Sequence, residues 1–295
     1  MTKLYIYPYS SGSESAKLLA ERLGAKRIKL QNSEYVHTPD NLVINWGNSN
    51  CPYTEGTLNQ GAAIKQTVDK LRFFRLMMQK GLSGYLPTYY TNAEDIPDEA
   101  FPIFCRTTTT GLDGAGIVIA DSRSNLVSAS LYTSFIKDST EYRVTLFRGE
   151  VTDIQTKLPR VGENAHPMIR TFGNGWGFQR KAVADSIQTK IVQASKSALD
   201  AAGLDFGGVD VIFAGGRAYI LEVNTAMGLE GDALDRFAKA VEYYVQSIQP
   251  VAPVAPPSLL ESISSPTQGI DASILDAISA GDWKEVIKIA AGRLS

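Results

Sequence analysis

The chain has 295 residues, 29 of them Lys or Arg and 31 Asp or Glu, and 44% of it is apolar. That length and apolar share predict two or three packed units with true hydrophobic cores, and a net charge of −2 gives no reason to expect a surface that coats nucleic acid. Two cysteines, Cys51 and Cys105, and two histidines, His37 and His166, lack the spacing of a zinc site, so reduced thiols in a cytoplasmic protein are expected. The first residues contain no signal-peptide apolar run, and no stretch approaches a membrane-spanning length.

The N-terminal stretch alternates strand and helix signals. Leu4–Tyr7 is a short β-type run, and Ser10–Ser13 a turn. Ala16, Leu18, Leu19 and Leu23 then follow with helical spacing, and Gly24 ends the element. Arg27–Leu30 and Asn41–Trp46 read as second and third strands, an order that predicts an α/β layer with parallel pairing. Ala62–Gln79 is predicted as one helix with Ile64, Val68, Leu71 and Leu76 on one side. The middle is strand-rich: Phe101–Arg106, Ile117–Ala120, Leu131–Ile136, Tyr142–Phe147 and Val151–Lys157. A helix is expected over Ala182–Ala202. Val209–Ala214 and Ala218–Val223 read as a hairpin across Gly215-Gly216, followed by a last long helix, Ala233–Ile248.

Composition changes beyond Ile248. Pro250, Pro253, Pro256, Pro257 and Pro266 mark a semi-stiff linker over 248–268, and residues 273–291 look amphipathic. Three basic residues (Lys284, Lys288, Arg293) and five acidic ones (Glu261, Asp271, Asp276, Asp282, Glu285) lie in this part, leaving 26 of each sign in residues 1–247. The tail is expected to fold back on the body, dock a partner or form a homo-oligomer, with Trp283 and Ile287 as anchors.

The hairpin is the most informative segment. Glu222 and Asn224 are two apart on a strand and share a face. A three-residue loop would set Asp210 opposite Glu222; a two-residue loop would pair Asp210 with Leu221 and turn Glu222 to the other side. In the first register two carboxylates repel each other among apolar neighbours unless a cation intervenes. Oxygen donors from Asp, Glu and Asn suit Mg²⁺ held together with substrate phosphates. A second candidate is the run Arg106 to Gly116, with Thr107, Thr108, Thr109, Thr110, Gly111, Gly114 and Gly116. Its hydroxyls and glycines let backbone N–H groups approach phosphate oxygens. It is neither a Walker A loop nor the dinucleotide fingerprint. Lys70, Arg106, Arg143 and Arg170 are basic residues beside these features; Lys70 and Arg106 also read as solvated residues, Arg143 as one half of a structural ion pair, and Arg170 as a cap of the turn Gly173-Asn174-Gly175-Trp176.

The ordered set resembles the ATP-grasp superfamily, over roughly residues 60–247. The motifs that carry the likeness are Asp210, Glu222-x-Asn224 and the following Gly228-Leu229-Glu230-Gly231. The likeness is to carboxylate–amine ligases that add glutamate to a ribosomal protein, with D-alanine–D-alanine ligase and glutathione synthetase more distant. It implies an α/β (α+β) ATP-grasp fold with a Rossmann-like N-terminal domain over 1–85, a lid subdomain over 86–136, a metal-bearing subdomain over 137–247, the linker 248–268 and a helical tail over 269–295. By that resemblance ATP and Mg²⁺ are expected, two ions, with Mn²⁺ as a substitute. Asp210, Glu222 and Asn224 would hold the metal. Lys70 and Arg106, the latter where the family usually has lysine, would bind phosphates under the loop of Thr108, Gly111, Gly114 and Gly116. Ser134, Phe135 and Ile136 would meet adenine, and Glu141 the ribose. Arg143, Arg170 and Asn174 would face the γ-phosphate and the acceptor carboxylate.

The implied activity is ADP-forming amide synthesis through an acylphosphate. The partners would be a small-molecule, peptide or protein carboxylate and an amine co-substrate. Rival readings are a phosphotransferase on the same fold and a non-catalytic nucleotide-binding scaffold. Neither substrate is encoded in a motif; Ser10–Ser13, Trp46–Asn50 and Thr171–Trp176 are candidate recognition loops.

Overall fold

At the N-terminus, parallel strands form as the alternation of strand and helix signals requires. The protein is represented by a computed structural model that describes residues 2–111 and 113–249. The linker and tail expected over 248–268 and 269–295 therefore fall, beyond Gln249, outside the described residues. Strand β1 (Lys3–Pro8) is flanked by β2 (Lys26–Arg27) and β3 (Asn41–Trp46), with β4 (Thr57–Leu58) at the edge, in the order β2-β1-β3-β4 and all parallel. Helix α1 (Glu14–Leu23) starts on the Ser13 hydroxyl, which accepts the Ala16 N–H at 3.3 Å, and ends at Gly24 with φ 61°. β2 is shorter than the expected Arg27–Leu30 run; beyond it the Ile28 N–H still reaches the Ile6 carbonyl at 2.9 Å.

The single helix expected over 62–79 is two helices, α2 (Gly61–Val68) and α3 (Lys70–Gln79). Asp69 between them is extended (φ −99°, ψ 116°), and its carboxylate caps α3 by accepting the Arg72 N–H at 2.8 Å. The buried positions Ile64, Thr67, Phe74 and Met77 keep a helical period through the break, so periodicity alone could not show it, and Val68, expected on the apolar side, is exposed. Asp is a favoured N-cap, and that signal was present in the sequence.

Two antiparallel sheets follow. The first has the order β5-β8-β6-β7, from β5 (Tyr89–Tyr90), β6 (Ile103–Arg106), β7 (Ile117–Ala120) and β8 (Leu131–Ser134). It closes on a small core of Ile96, Ile103, Cys105, Ala120 and Tyr132. The second has the order β11-β10-β9-β12-β13. Its strands are β9 (Thr140–Phe147), β10 (Glu150–Pro159), β11 (Trp176–Gln179), β12 (Phe206–Ala214) and β13 (Arg217–Asn224). Helix α4 (Asp185–Ala202) lays Ile191, Ala194, Ala198 and Leu199 on Val209, Val211 and Ile220, joined by Phe73, Phe74 and Met77 of α3. Helix α5 (Gly231–Ser247) packs with α1 and the N-terminal sheet around Trp46, which stacks on Phe206 at 5.5 Å.

Asn59 fastens that junction. It is fully buried, its amide donates to the Phe206 carbonyl at 2.8 Å, and its Oδ1 accepts the Asp205 and Phe206 N–H groups at 2.8 and 3.1 Å.

The β12–β13 hairpin takes neither expected register unmodified. Ala214 pairs with Arg217 across a two-residue Gly215-Gly216 turn, both glycines at positive φ. Val211 then pairs with Ile220, but Asp210 pairs with Glu222. Leu221 is the extra residue of a β-bulge, which shifts the register by one and brings the two carboxylates opposite each other. A short turn and an acidic pair therefore coexist, which a regular ladder would forbid.

Candidate active site

Between the two antiparallel sheets lies a cleft of about 720 Å³. Of the residues singled out from the sequence, Lys70, Arg106, Thr108, Gly111, Gly114, Ser134, Phe135, Ile136, Glu141, Arg143, Arg170, Asp210, Glu222 and Asn224 all line it. Asn174 and Gly116 do not. Asn174 donates its amide to Thr171 Oγ1 at 2.7 Å, and its carbonyl accepts the His166 N–H at 3.0 Å, so its polar groups hold the turn of residues 171–175. Gly116 sits at the loop base with φ 73°, its carbonyl accepting the Thr107 N–H at 2.8 Å and the Thr107 hydroxyl at 3.0 Å. Of the candidate recognition loops, Gly47, Thr171, Phe172 and Trp176 reach the cleft, and no residue of Ser10–Ser13 does.

The acidic centre is built by the bulge. The side chain of Asp210 is only 5% exposed, and it is gripped by the Arg143 guanidinium through Nε–Oδ1 at 2.7 Å and Nη2–Oδ2 at 2.8 Å. This two-pronged geometry is the strong form of a charge-assisted hydrogen bond. The Lys70 ammonium, at the first position of α3, bonds Glu222. Asn224 Nδ2 lies 3.2 Å from Glu222 Oε1 and 3.4 Å from Asp210 Oδ2. Burial works against the charge of Glu222, but Lys70, the Asn224 amide and Arg143 outweigh it and bring the carboxyl down to about 2.

Nitrogen donors thus gather between two carboxylates, where a cation is wanted. Among the described residues no three His, Cys, Asp or Glu side chains come together. A metal held here would take two carboxylates and, after a half-turn of the amide, Asn224 Oδ1. Those hard oxygen donors fit Mg²⁺, which keeps much of its shell for water and phosphate.

Two other cations lack an acidic partner. Arg106 and Arg170 form no ion pair among the described residues, although both face the cleft. The Arg106 Nε is buried with no hydrogen-bond partner, and burial pulls its pKa down with only Glu222 opposing. A buried guanidinium without a counter-charge is costly unless an anion arrives. Arg170 donates to Ser139 Oγ at 3.1 Å and lies over the Trp176 ring at 5.3 Å.

Glu141 on β9 is buried and bound by Lys157 of β10 at 2.8 Å. Burial raises its pKa, and the Asp210 charge adds to that against the pull of Lys157. The Ser134 N–H is taken by the Thr88 carbonyl at 3.0 Å and the Phe135 N–H by the Pro102 carbonyl at 3.2 Å. Neither N–H is therefore free to donate to the adenine edge expected here. Phe135 meets Phe104 edge-on at 5.7 Å, forming an apolar wall.

Sequence reasoning missed β11 and Lys157. Thr171–Trp176 is expected as a recognition loop and no strand is expected after it, yet Trp176 and Phe178 alternate along a strand and face the cleft together. Phe178 lies under both the Arg143 guanidinium (4.2 Å) and the Lys157 ammonium (4.7 Å), a cation–π platform for two cations. The alternation Trp-x-Phe was the available signal. Nothing local points Lys157 at Glu141, because that pair depends on strand register.

Comparison with known proteins bears on the fold. No family model matches the chain. A probable alpha-L-glutamate ligase of Legionella pneumophila is 25% identical over 211 residues, covering 66% of this chain and 69% of the relative. A D-alanine–D-alanine ligase from Bacillus anthracis superposes with a TM-score of 0.57 at 13% identity, over 84% of this chain and 99% of the other. The ATP-grasp ligase PsnB, in a complex with a precursor variant, Mg and ADP, superposes with a TM-score of 0.58 at 10% identity, over 82% of this chain and 98% of the other. The chain has the ATP-grasp fold. In this ATP-grasp fold the two antiparallel sheets are the jaws, and the acidic bulge, the Thr107–Gly116 loop and α3 converge between them. Among the described residues, no helix is long and apolar enough to cross a membrane.

Proposed function

We propose that this ATP-grasp ligase joins a carboxylate to an amine through an acylphosphate, with amino acids or peptides as substrates. The observation that carries the proposal is the charge layout of one cleft. A carboxylate pair, Asp210 and Glu222, shares the cleft with five cations, Lys70, Arg106, Arg143, Lys157 and Arg170, and two of those, Arg106 and Arg170, form no ion pair among the described residues. A triphosphate with its metal, followed by an acylphosphate, is the ligand chemistry that satisfies both halves. The substrate class follows the names of the similar proteins, a glutamate ligase and a D-alanine–D-alanine ligase.

In this reading Asp210, Glu222 and Asn224 hold Mg²⁺ or Mn²⁺, two ions in all, which supply charge neutralisation on the phosphate oxygens. Lys70 and Arg106 hold the inner phosphates, with Thr108, Gly111 and Gly114 closing above them. Ile136 and the Phe104–Phe135 wall take the adenine, and Glu141 takes the ribose hydroxyls once Lys157 yields. A substrate carboxylate oxygen attacks the γ-phosphorus, the bond to the β-bridging oxygen breaks, and ADP leaves. Arg170 and Arg143 balance charge on the acylphosphate. An amine then attacks the acyl carbon, phosphate leaves, and the amine proton passes to solvent. Catalysis here is positioning and electrostatics. The division into 1–85, 86–136 and 137–247, and a cytoplasmic setting suited to the free thiols Cys51 and Cys105, belong to the same proposal.

The test is ADP release with pairs of amino acids and peptides, with hydroxylamine added to trap an acylphosphate as a hydroxamate. Glu222→Ala is expected to abolish ADP formation with its circular dichroism unchanged. Undiminished ADP release by that variant would overturn the metal assignment, and ADP release without a hydroxamate would overturn the acylphosphate.

A further inference from the structure

Asp69 does two things at once. One carboxylate oxygen caps α3 through the Arg72 N–H at 2.8 Å, and the other accepts the Thr109 hydroxyl at 2.7 Å. The next residue completes the contact, since the Lys70 N–H donates to the Thr109 carbonyl at 2.9 Å. Thr109 therefore gives one hydrogen bond and takes another across a gap of forty residues, from the middle of the Thr107–Gly116 loop to the start of a helix. Burial opposes the charge on Asp69, but the Thr109 hydroxyl and the α3 backbone outweigh it and hold the carboxyl below its usual range.

The two partners differ in rigidity. Helix α3 is anchored by Phe73, Phe74 and Met77, all deep in the core. The loop is held at its base by Thr107 and Gly116, and its tip rests on the opposite wall, where a Cβ on Gly114 would come within 3.0 Å of Thr171 Cγ2. Without Asp69 and Thr109 the middle of the loop would have only its own internal bonds. With them, the loop and the Lys70 ammonium share one foundation.

We propose that the Asp69–Thr109 clasp is a positioning device of this ligase, fixing the phosphate loop and Lys70 as a single body so that the loop closes over the nucleotide with the lysine already in place. Asp69 does not line the cleft, and Thr109, which does, spends its hydroxyl proton on Asp69. The inference rests on the nucleotide reading of the cleft, and the experiment separates the two.

Full-length wild type, Thr109→Val, Thr109→Ser and Asp69→Asn are compared. Binding of adenylyl-imidodiphosphate with Mg²⁺ is measured by calorimetry, and hydrogen exchange of residues 107–116 without ligand by mass spectrometry. Thr109→Val keeps the shape and removes the hydroxyl. It is expected to weaken binding about tenfold, the scale of one hydrogen bond to a charged group, and to speed loop exchange, with the melting temperature unchanged. Thr109→Ser should restore both. Asp69→Asn still caps α3 and can donate its amide to Thr109 Oγ1 in place of the charge-assisted bond, so it should fall between wild type and Thr109→Val. Wild-type behaviour of Thr109→Val, or failure of Thr109→Ser to rescue, would overturn the clasp. Wild type that does not bind the analogue would overturn the nucleotide reading and the clasp's purpose together. In that event the Val–Ser contrast in loop exchange still decides whether the clasp holds the loop.

Discussion

Arg143→Met would expose the logic of the acidic centre. The substitution keeps an apolar stem over Phe178 and removes the guanidinium that bonds both Asp210 oxygens at 2.7 and 2.8 Å. Asp210 would be left with the Asn224 amide at 3.4 Å and with Glu222 opposite it on the neighbouring strand. Removing one partner of a buried pair costs about 3–5 kcal/mol, because the remaining charge stays desolvated. In a body of this size that is a fall of about 6–20 °C in melting temperature. Excess Mg²⁺ without nucleotide should return part of the loss, about 2.7 kcal/mol at a hundredfold over its dissociation constant, because a cation then occupies the place the guanidinium left. The same Mg²⁺ should shift wild type less, since there it must displace Arg143. Adding Asp210→Asn should also recover stability by removing the orphaned charge. Calorimetric melts of wild type, Arg143→Met, Asp210→Asn and the double variant, with and without Mg²⁺, measure all of this. Equal Mg²⁺ shifts in wild type and variant, or single losses that simply add in the double variant, would refute the reasoning.

Asn59→Gly keeps the backbone at φ 58° but removes three side-chain hydrogen bonds to Asp205 and Phe206. It should cost about 3 kcal/mol or more in urea denaturation, since buried amide groups are left unpaired. Gly116→Ala places a Cβ 2.6 Å from Thr108 Cγ2 at φ 73°, and should lower nucleotide affinity about tenfold in a binding titration. Glu222 has its pKa lowered on folding, so its stabilisation is complete above its ordinary value of 4.5 and drains away as the pH falls to about 2. The stability difference between wild type and Glu222→Gln should therefore shrink across that window, as read from urea midpoints at several pH values. A gap that stays constant would mean that Lys70 does not hold the charge.

Local chemistry announced much of this protein. Apolar runs of β-type residues placed most strands, helical spacing and glycine stops bounded α1 and α4, and Asp210 with Glu222-x-Asn224 marked the acidic centre. These features depend on side-chain period and turn residues, which are properties of a few neighbours. The helix break at Asp69 was nearly legible, through its capping residue, but continuous apolar spacing hid it. Tertiary structure decided the rest. Which register the hairpin adopts turned on a bulge at Leu221, because two sheet faces and a two-residue turn had to be satisfied together. Arg143 on Asp210, Lys157 on Glu141, and Lys70 on Glu222 join residues far apart in sequence, and only packing brings them within bonding distance. The sequence showed a body with 26 charges of each sign. The fold decided that some of these charges pair across one cleft while Arg106 and Arg170 go without an acidic partner, because burial, not composition, sets which charges can find water and which must find each other or a ligand.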